Sequence, residues 1–213
     1  HVERTKLRPL AAGEVNSTEA ILLFFGLLIL AFLLVLQFNT QTIMLAFAAA
    51  GVASLYPFCK RWTQLPQVVL GIAFSFGILM AFSALNSDQW WLAGGLFIAN
   101  IVWTIAYDTE YAMADRADDL KVGIKSTAIL FGRYDRLIIA ALQVVTLIIL
   151  AVVWHHLNVQ WYAWLGLIAA ACLFSYQHWM IRERAPKACF QAFLHNHYVG
   201  MVIGVSLALH YWY

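Results

Sequence analysis

Charge is what this chain has least of. Its 213 residues include 13 Lys and Arg and 11 Asp and Glu, or 11% charged, where soluble domains run near ~25%. So few charges cannot give a chain this long a water-compatible exterior, and lipid has to cover much of it. A net charge of +2 is too small to argue for a nucleic-acid partner. Cysteine is scarce as well: Cys59, Cys172 and Cys189 are an odd number without C-x-x-C spacing, which argues against a disulfide or zinc framework. The opening HVERTKLRPL is polar and basic, with no apolar stretch leading to a small-residue cleavage site, so no signal peptide is expected. A start at His1 within such a segment reads as a piece of a longer protein that begins inside a loop.

What is abundant is uninterrupted apolar sequence. Seven stretches contain no Asp, Glu, Lys or Arg: residues 20–36, 42–58, 67–85, 89–107, 137–154, 161–181 and 198–213. Each approaches the ~20 residues with which a helix crosses a ~30 Å apolar layer. The runs are continuously apolar and do not alternate, which disfavours a barrel and leaves the α-helix to satisfy the backbone in lipid. The expected fold is a single all-α integral membrane domain over residues 1–213. All 13 basic residues fall in the opening segment or in every second connection, and the connections near 37–41, 86–88 and 155–160 hold none. Basic loops stay on the cytoplasmic side, so that side is expected to carry the long loops and any chemistry.

The densest chemistry lies in DTEYAMADRADD, residues 108–119, which holds Asp108, Glu110, Asp115, Asp118 and Asp119. If the preceding span continues as a helix, Asp108, Asp115 and Asp119 fall within about 40° of one another, with Tyr111 and Ala112 beside them and Glu110 on the opposite side. Carboxylates in one row repel, and Mg²⁺ is a natural counter-ion because it accepts a few carboxylates, keeps waters and bridges to phosphate. The alternative is a solvated acidic helix end balanced by Arg116 and Lys121. Scarce charge and direct emergence from a membrane helix favour the metal. Downstream, Gly123-Ile-Lys-Ser-Thr127 could cradle a phosphate at a helix N-terminus, or Ser126 or Thr127 could simply cap that helix. The histidines, including His155, His156, His195 and His197, are expected in structural or interfacial roles. Gly71, Gly77, Gly94 and Gly95 are expected where helices pack closely.

Three segments, RTKLRPL, YPFCKRWTQLPQVVLG and DTEYAMADRADDLKVGIKSTAILFG, together resemble the 4-hydroxybenzoate polyprenyltransferase (UbiA) family, and the likeness runs through the whole chain. The resemblance implies nine transmembrane helices around a central cavity. Two aspartate motifs would face each other on the cytoplasmic side, the first of them, N-D-x-x-D-x-x-x-D, directly before R-T-x-x-R-P-L. On that pattern the chain lacks two helices and half of the metal site, so seven spans are expected here, and the chain would not be fully active alone. Leu79 stands where the family has Pro.

The resemblance also implies the chemistry: Mg²⁺-dependent transfer of a polyprenyl group from polyprenyl diphosphate to the ring of 4-hydroxybenzoate, in ubiquinone biosynthesis at a bacterial inner membrane. Asp108, Asp115 and Asp119 would hold the metal, with Asp108, Asp115 and Tyr111 lining the reaction centre. Arg8, Lys60 and Lys125 would meet diphosphate oxygens, and Arg61 either the diphosphate or the acceptor's carboxylate. A superfamily enzyme with another aromatic acceptor is the nearest alternative. A transporter is disfavoured because no acidic residue lies within the seven runs, whereas transporter sites sit near the midplane.

Overall fold

A computed structural model describes residues 8–212, so Arg4 and Lys6 of the opening segment lie outside the described residues. A short turn of helix, α1 (Pro9–Ala12), leads into α2 (Ser17–Val35), α3 (Thr40–Trp62), α4 (Pro66–Ala84) and α5 (Trp90–Val122). There follow α6 (Thr127–Phe131), α7 (Asp135–His156), α8 (Trp161–Met180) and α9 (Pro186–Trp212). Among the described residues, seven helical runs are long and apolar enough to cross a membrane, and the chain is an all-α multi-pass membrane protein.

The helix ends follow from local chemistry. Asn16 and Glu19 form a capping box, each side chain bonded to the other's backbone N–H at 2.9 Å. Asn39 caps α3 by accepting from the Thr42 N–H at 2.8 Å, and its amide donates to the Ser83 carbonyl at 2.6 Å, tying the start of α3 to the end of α4. Pro66 and Pro186 open α4 and α9 at a position where a missing N–H costs nothing. α3 continues through Pro57 to Trp62 and so carries Lys60 and Arg61 in its last turn.

α5 is the axis of the bundle, packed against α4, α7 and α9. Its 33 residues span roughly 50 Å, well beyond a ~30 Å apolar layer, so the acidic segment is the same rigid helix as the span before it. Close packing is set at particular glycines. A Cβ on Gly71 would stand 3.1 Å from the Ile101 carbonyl oxygen and 3.2 Å from its Cα. Gly166 is closed off by Ser206 of α9, a contact the sequence did not suggest. Gly77 and Gly94 face open space and are not packing points.

Polar cross-links supplement the packing, as suits helices whose surroundings are as apolar as their side chains. Asn100 donates to Ser75 at 2.9 Å and Gln143 to Gln177 at 3.2 Å. All three cysteines are free thiols. α2 contains no buried residue and touches only α3 appreciably.

Candidate functional site

The site is assembled at the basic end of the bundle, where α3 finishes, α4 begins and α5 emerges. Gly123, in the left-handed region at φ 71°, ends α5 and turns the chain back toward α3. There the Lys125 N–H donates to the Lys60 carbonyl at 3.1 Å and the Lys125 ammonium to the Trp62 carbonyl at 3.3 Å. The Thr127 hydroxyl meets that of Thr109 at 2.7 Å, and the Thr127 N–H donates to Gln67 Oε1 at 3.2 Å. Gln67 also lies close enough to Asp108 to act on its carboxylate. The segment Gly123–Thr127 is therefore stitched across the ends of three helices, and it brings Lys125 beside Lys60.

Asp108 is buried at the centre of this assembly. The Lys60 ammonium acts on it electrostatically, as does Asp115 two turns further along. Tyr56 lies close enough to interact with Asp108, Tyr107 and Tyr111, and the Lys60 ammonium stands 5.8 Å from the Tyr56 ring. Aromatic rings continue into the bundle: Tyr111 and Tyr107 approach Phe193 at 5.0 and 6.0 Å, and Trp103 follows at 5.9 Å from Tyr107.

Beneath them is a hollow of about 320 Å³ lined by Trp103, Tyr107, Phe193, Asn196 and His197 among others. Trp103 and Asn100 also line a second one of about 140 Å³, with Leu96 and Ile203. A larger hollow, about 590 Å³, is instead the furrow between α2 and α3, lined by apolar side chains such as Leu28, Phe32 and Phe47.

Of the residues singled out in the sequence, the structure brings together Asp108, Tyr111, Asp115, Lys60 and Lys125. Asp119 is buried further along α5. Arg8 and Arg61 are exposed and form no ion pair among the described residues. Arg116 does not balance the acidic row: it is paired with Asp135, at the start of α7. Arg184 closes on the same carboxylate at 2.8 Å, and this bonding holds the Arg184 guanidinium above its ordinary range. Lys121 pairs with Asp118 at 3.0 Å. Glu110, on the far side of α5, is fully buried and accepts from the Asn196 amide at 3.0 Å.

The protein-family model that matches residues 1–200 is that of the UbiA prenyltransferase family. The chain belongs to this family. It is 64% identical to a 4-hydroxybenzoate octaprenyltransferase of Idiomarina loihiensis over 213 residues, covering 100% of this chain and 75% of that protein. It is 54% identical to the protein of the same name from Chromohalobacter salexigens, covering 100% of this chain and 71% of the relative. The chain thus spans about three quarters of the length of these relatives. In fold it is similar to the apo structure of a UbiA homolog from Aeropyrum pernix K1, with a TM-score of 0.82 at 22% identity, covering 97% of this chain and 78% of that one. A digeranylgeranylglyceryl phosphate synthase structure matches with a TM-score of 0.69 at 18% identity, covering 98% of this chain and 76% of that one.

In this family member the carboxylates form a row and not a cage. Asp108 and Asp115 are about 10 Å apart along the helix axis, and Asp115 and Asp119 about 6 Å. Among the described residues, no three or more His, Cys, Asp and Glu side chains gather closely enough to hold a metal ion. Mg²⁺, however, keeps several waters and takes only one or two carboxylates beside phosphate oxygens. Asp115 and Asp119, one turn apart on the same face, suit that mode of binding. Tyr56 and Gln67 are the site residues that sequence reasoning passed over. Both lie in the segment YPFCKRWTQLPQ, one of the three that carry the family resemblance.

Proposed function

We propose that this prenyltransferase moves a polyprenyl group from polyprenyl diphosphate to the ring of 4-hydroxybenzoate, with Mg²⁺, in ubiquinone biosynthesis. The observation that carries the reading is the adjacency of a buried carboxylate to an aromatic-walled hollow: Tyr107 lines the cavity and Asp108, the next residue, heads the acidic row. A substrate with an ionic head and a long apolar tail needs just such a junction. The acceptor and the pathway are supported by the name of relatives up to 64% identical.

Asp115 and Asp119, with Asp108, would hold Mg²⁺, which when bound supplies positive charge to the diphosphate oxygens. Lys60 and Lys125 offset the negative charge that grows on the diphosphate as the allylic C–O bond breaks. Fixed charges in a water-poor site supply several kcal/mol of such stabilisation. Tyr56, Tyr107 and Tyr111 offer ring faces to the allylic cation, an attraction of about 0.5–2 kcal/mol for each well-placed ring. The apolar walls keep water from quenching that cation. The ring carbon beside the phenol hydroxyl then forms the new C–C bond, and its proton passes to the departing diphosphate or to water. The restriction of basic residues to one end of the bundle supports a cytoplasmic site in a bacterial inner membrane.

Membranes carrying the intact protein, given labelled 4-hydroxybenzoate, a polyprenyl diphosphate and Mg²⁺, should form prenylated product. Asp108→Ala should abolish it while membrane insertion persists. Product with a different aromatic acceptor only would overturn the assignment of the acceptor, and full activity in Asp108→Ala would remove Asp108 from the site.

A further inference from the structure

α7 and α8 part along their outer face. A hollow of about 350 Å³ lies between them, lined by Ala140, Gln143, Ser175 and His178 among others. A second, of about 370 Å³, continues from it toward Ala151 and Trp164. The two share Val144, Leu147 and Ala171 and so form one furrow. Val144, Ile148 and Ile168 on its walls are more than half exposed, so it opens away from the bundle. From Ala140 to Ala151 it runs about 16 Å. That is about half the depth of a ~30 Å apolar layer, the reach of the acyl chains of one leaflet.

The two ends of the furrow differ in chemistry. Toward Ala151 and Trp164 it is apolar, whereas Gln143, Ser175 and His178 make it polar toward the basic end. Arg136, about one turn before Ala140 on α7, lies close enough to His178 to act on its ring. The Arg136 guanidinium donates to the Arg182 carbonyl at 3.2 Å and forms no ion pair among the described residues. Its Nε and the His178 Nδ1 both lack a hydrogen-bond partner. The nearest carboxylates are already engaged: Asp135 by Arg116 and Arg184, Glu183 by Arg182 at 3.4 Å. Arg182 also stacks on Trp179 at 4.3 Å, an exposed ring of the kind that sits at headgroup level. We propose that the furrow binds an anionic glycerophospholipid of the surrounding bilayer, its phosphate beside Arg136 and His178 and one acyl chain between α7 and α8. A hydrocarbon tail alone would leave the Arg136 charge unanswered, and a soluble anion would leave the apolar length empty. The site is separate from the reaction centre and does not depend on the reaction assigned to it.

The test is native mass spectrometry of the intact protein in detergent, titrated with phosphatidylglycerol or with phosphatidylcholine of the same chains. Phosphatidylglycerol should bind one to a protein and about tenfold more tightly than phosphatidylcholine. Arg136→Gln should weaken phosphatidylglycerol about tenfold, the loss of one charged hydrogen-bond donor. Ala171→Trp fills the furrow where its two parts join, leaves the arginines in place, and should abolish one-to-one binding. Lys121→Gln removes a charge on α5, outside the furrow, and should keep affinity within about threefold. Equal affinity for the two lipids, or equal weakening in Lys121→Gln and Arg136→Gln, would reduce the attraction to diffuse charge and overturn the proposal. Phosphatidylglycerol binding that survives Ala171→Trp would also overturn it, as would a dimer that Ala171→Trp dissociates, which would give the furrow to a second copy of the chain.

Discussion

Asn196→Ala should be among the more damaging single changes available outside the acidic row, and its cost can be worked from the contacts. Asn196 sits on α9 with both ends of its amide engaged on α5: Trp103 Nε1 donates to its oxygen at 2.9 Å, and its nitrogen donates to Glu110 Oε2 at 3.0 Å. The other Glu110 oxygen is buried without a hydrogen-bond partner. Alanine therefore strands two further groups. A buried polar atom deprived of its partner costs about 1–3 kcal/mol. Trp103 borders the 320 Å³ hollow and can recover some solvation there, so about 1 kcal/mol suits it. Glu110 is fully buried, and about 3 kcal/mol is the better figure. The better helix propensity of alanine returns roughly 0.5 kcal/mol. The net is about 3–4 kcal/mol, which in a chain of this size lowers the unfolding midpoint by roughly 10 °C.

Thermal unfolding in detergent, read by tryptophan fluorescence, measures this directly. A companion variant sharpens it. Asn196→Ala with Glu110→Leu removes the stranded carboxylate as well as its partner and should be more stable than Asn196→Ala alone, since replacing both members of a buried polar pair costs less than breaking it. A midpoint for Asn196→Ala within about 3 °C of the unmodified protein, or roughly 1 kcal/mol, would refute the reasoning, as would a double variant less stable than the single one.

Lys60→Met removes the ammonium beside Asp108 and should lower kcat by about 10²–10³-fold with little change in unfolding temperature, measured by prenyl transfer in membranes and by thermal unfolding. Gly71→Leu drives a side chain into the Ile101 backbone and should destabilise by about 1–3 kcal/mol. Gly77→Leu, facing open space, should be tolerated, and the two unfolding midpoints compared side by side check the packing argument.

The spans were legible because so little in this chain is charged: a helix that crosses lipid must be apolar along its length, and each described span overlaps one of the charge-free runs. Ends were less legible. α9 begins at Pro186 and not near residue 198, because Lys187, His195, Asn196 and His197 read as loop composition, although the helix starts at the basic end and Asn196 is spent on α5. α3 runs past Pro57 to Trp62, since a proline removes one hydrogen bond, a loss that a membrane-spanning helix tolerates. Helical angles correctly set Glu110 apart from the acidic row. They could not reveal that Asn196, 86 residues away, waits for it there. Arg116 illustrates the same gap. Its local spacing assigns it to the acidic row, and only the third dimension supplies Asp135 as the stronger competitor.

What decides the character of the site is the continuity of α5. Had the helix broken at Tyr107, the acidic segment would be a loop free to turn toward water, and its carboxylates would keep no fixed height relative to the hollow. Because α5 runs on to Val122, a rise of about 1.5 Å per residue fixes each carboxylate's distance from the aromatic column below it. Besides the apolar packing of Ala112 and Met113, polar contacts from elements remote in sequence hold this extension. Gln67 reaches Asp108 from α4, Thr127 reaches Thr109 from beyond the turn, and Asp135 reaches Arg116 from α7. Apolar packing alone would let the helix slide or rotate at little cost, since lipid and protein interior are equally apolar to it. A hydrogen bond is directional, and those of Thr109 with Thr127 and of Arg116 with Asp135 tie one side of α5 to the elements that follow it and so fix its azimuth and height. On this argument the cross-links serve register more than stability, and cutting any one of them should alter catalysis before it unfolds the bundle.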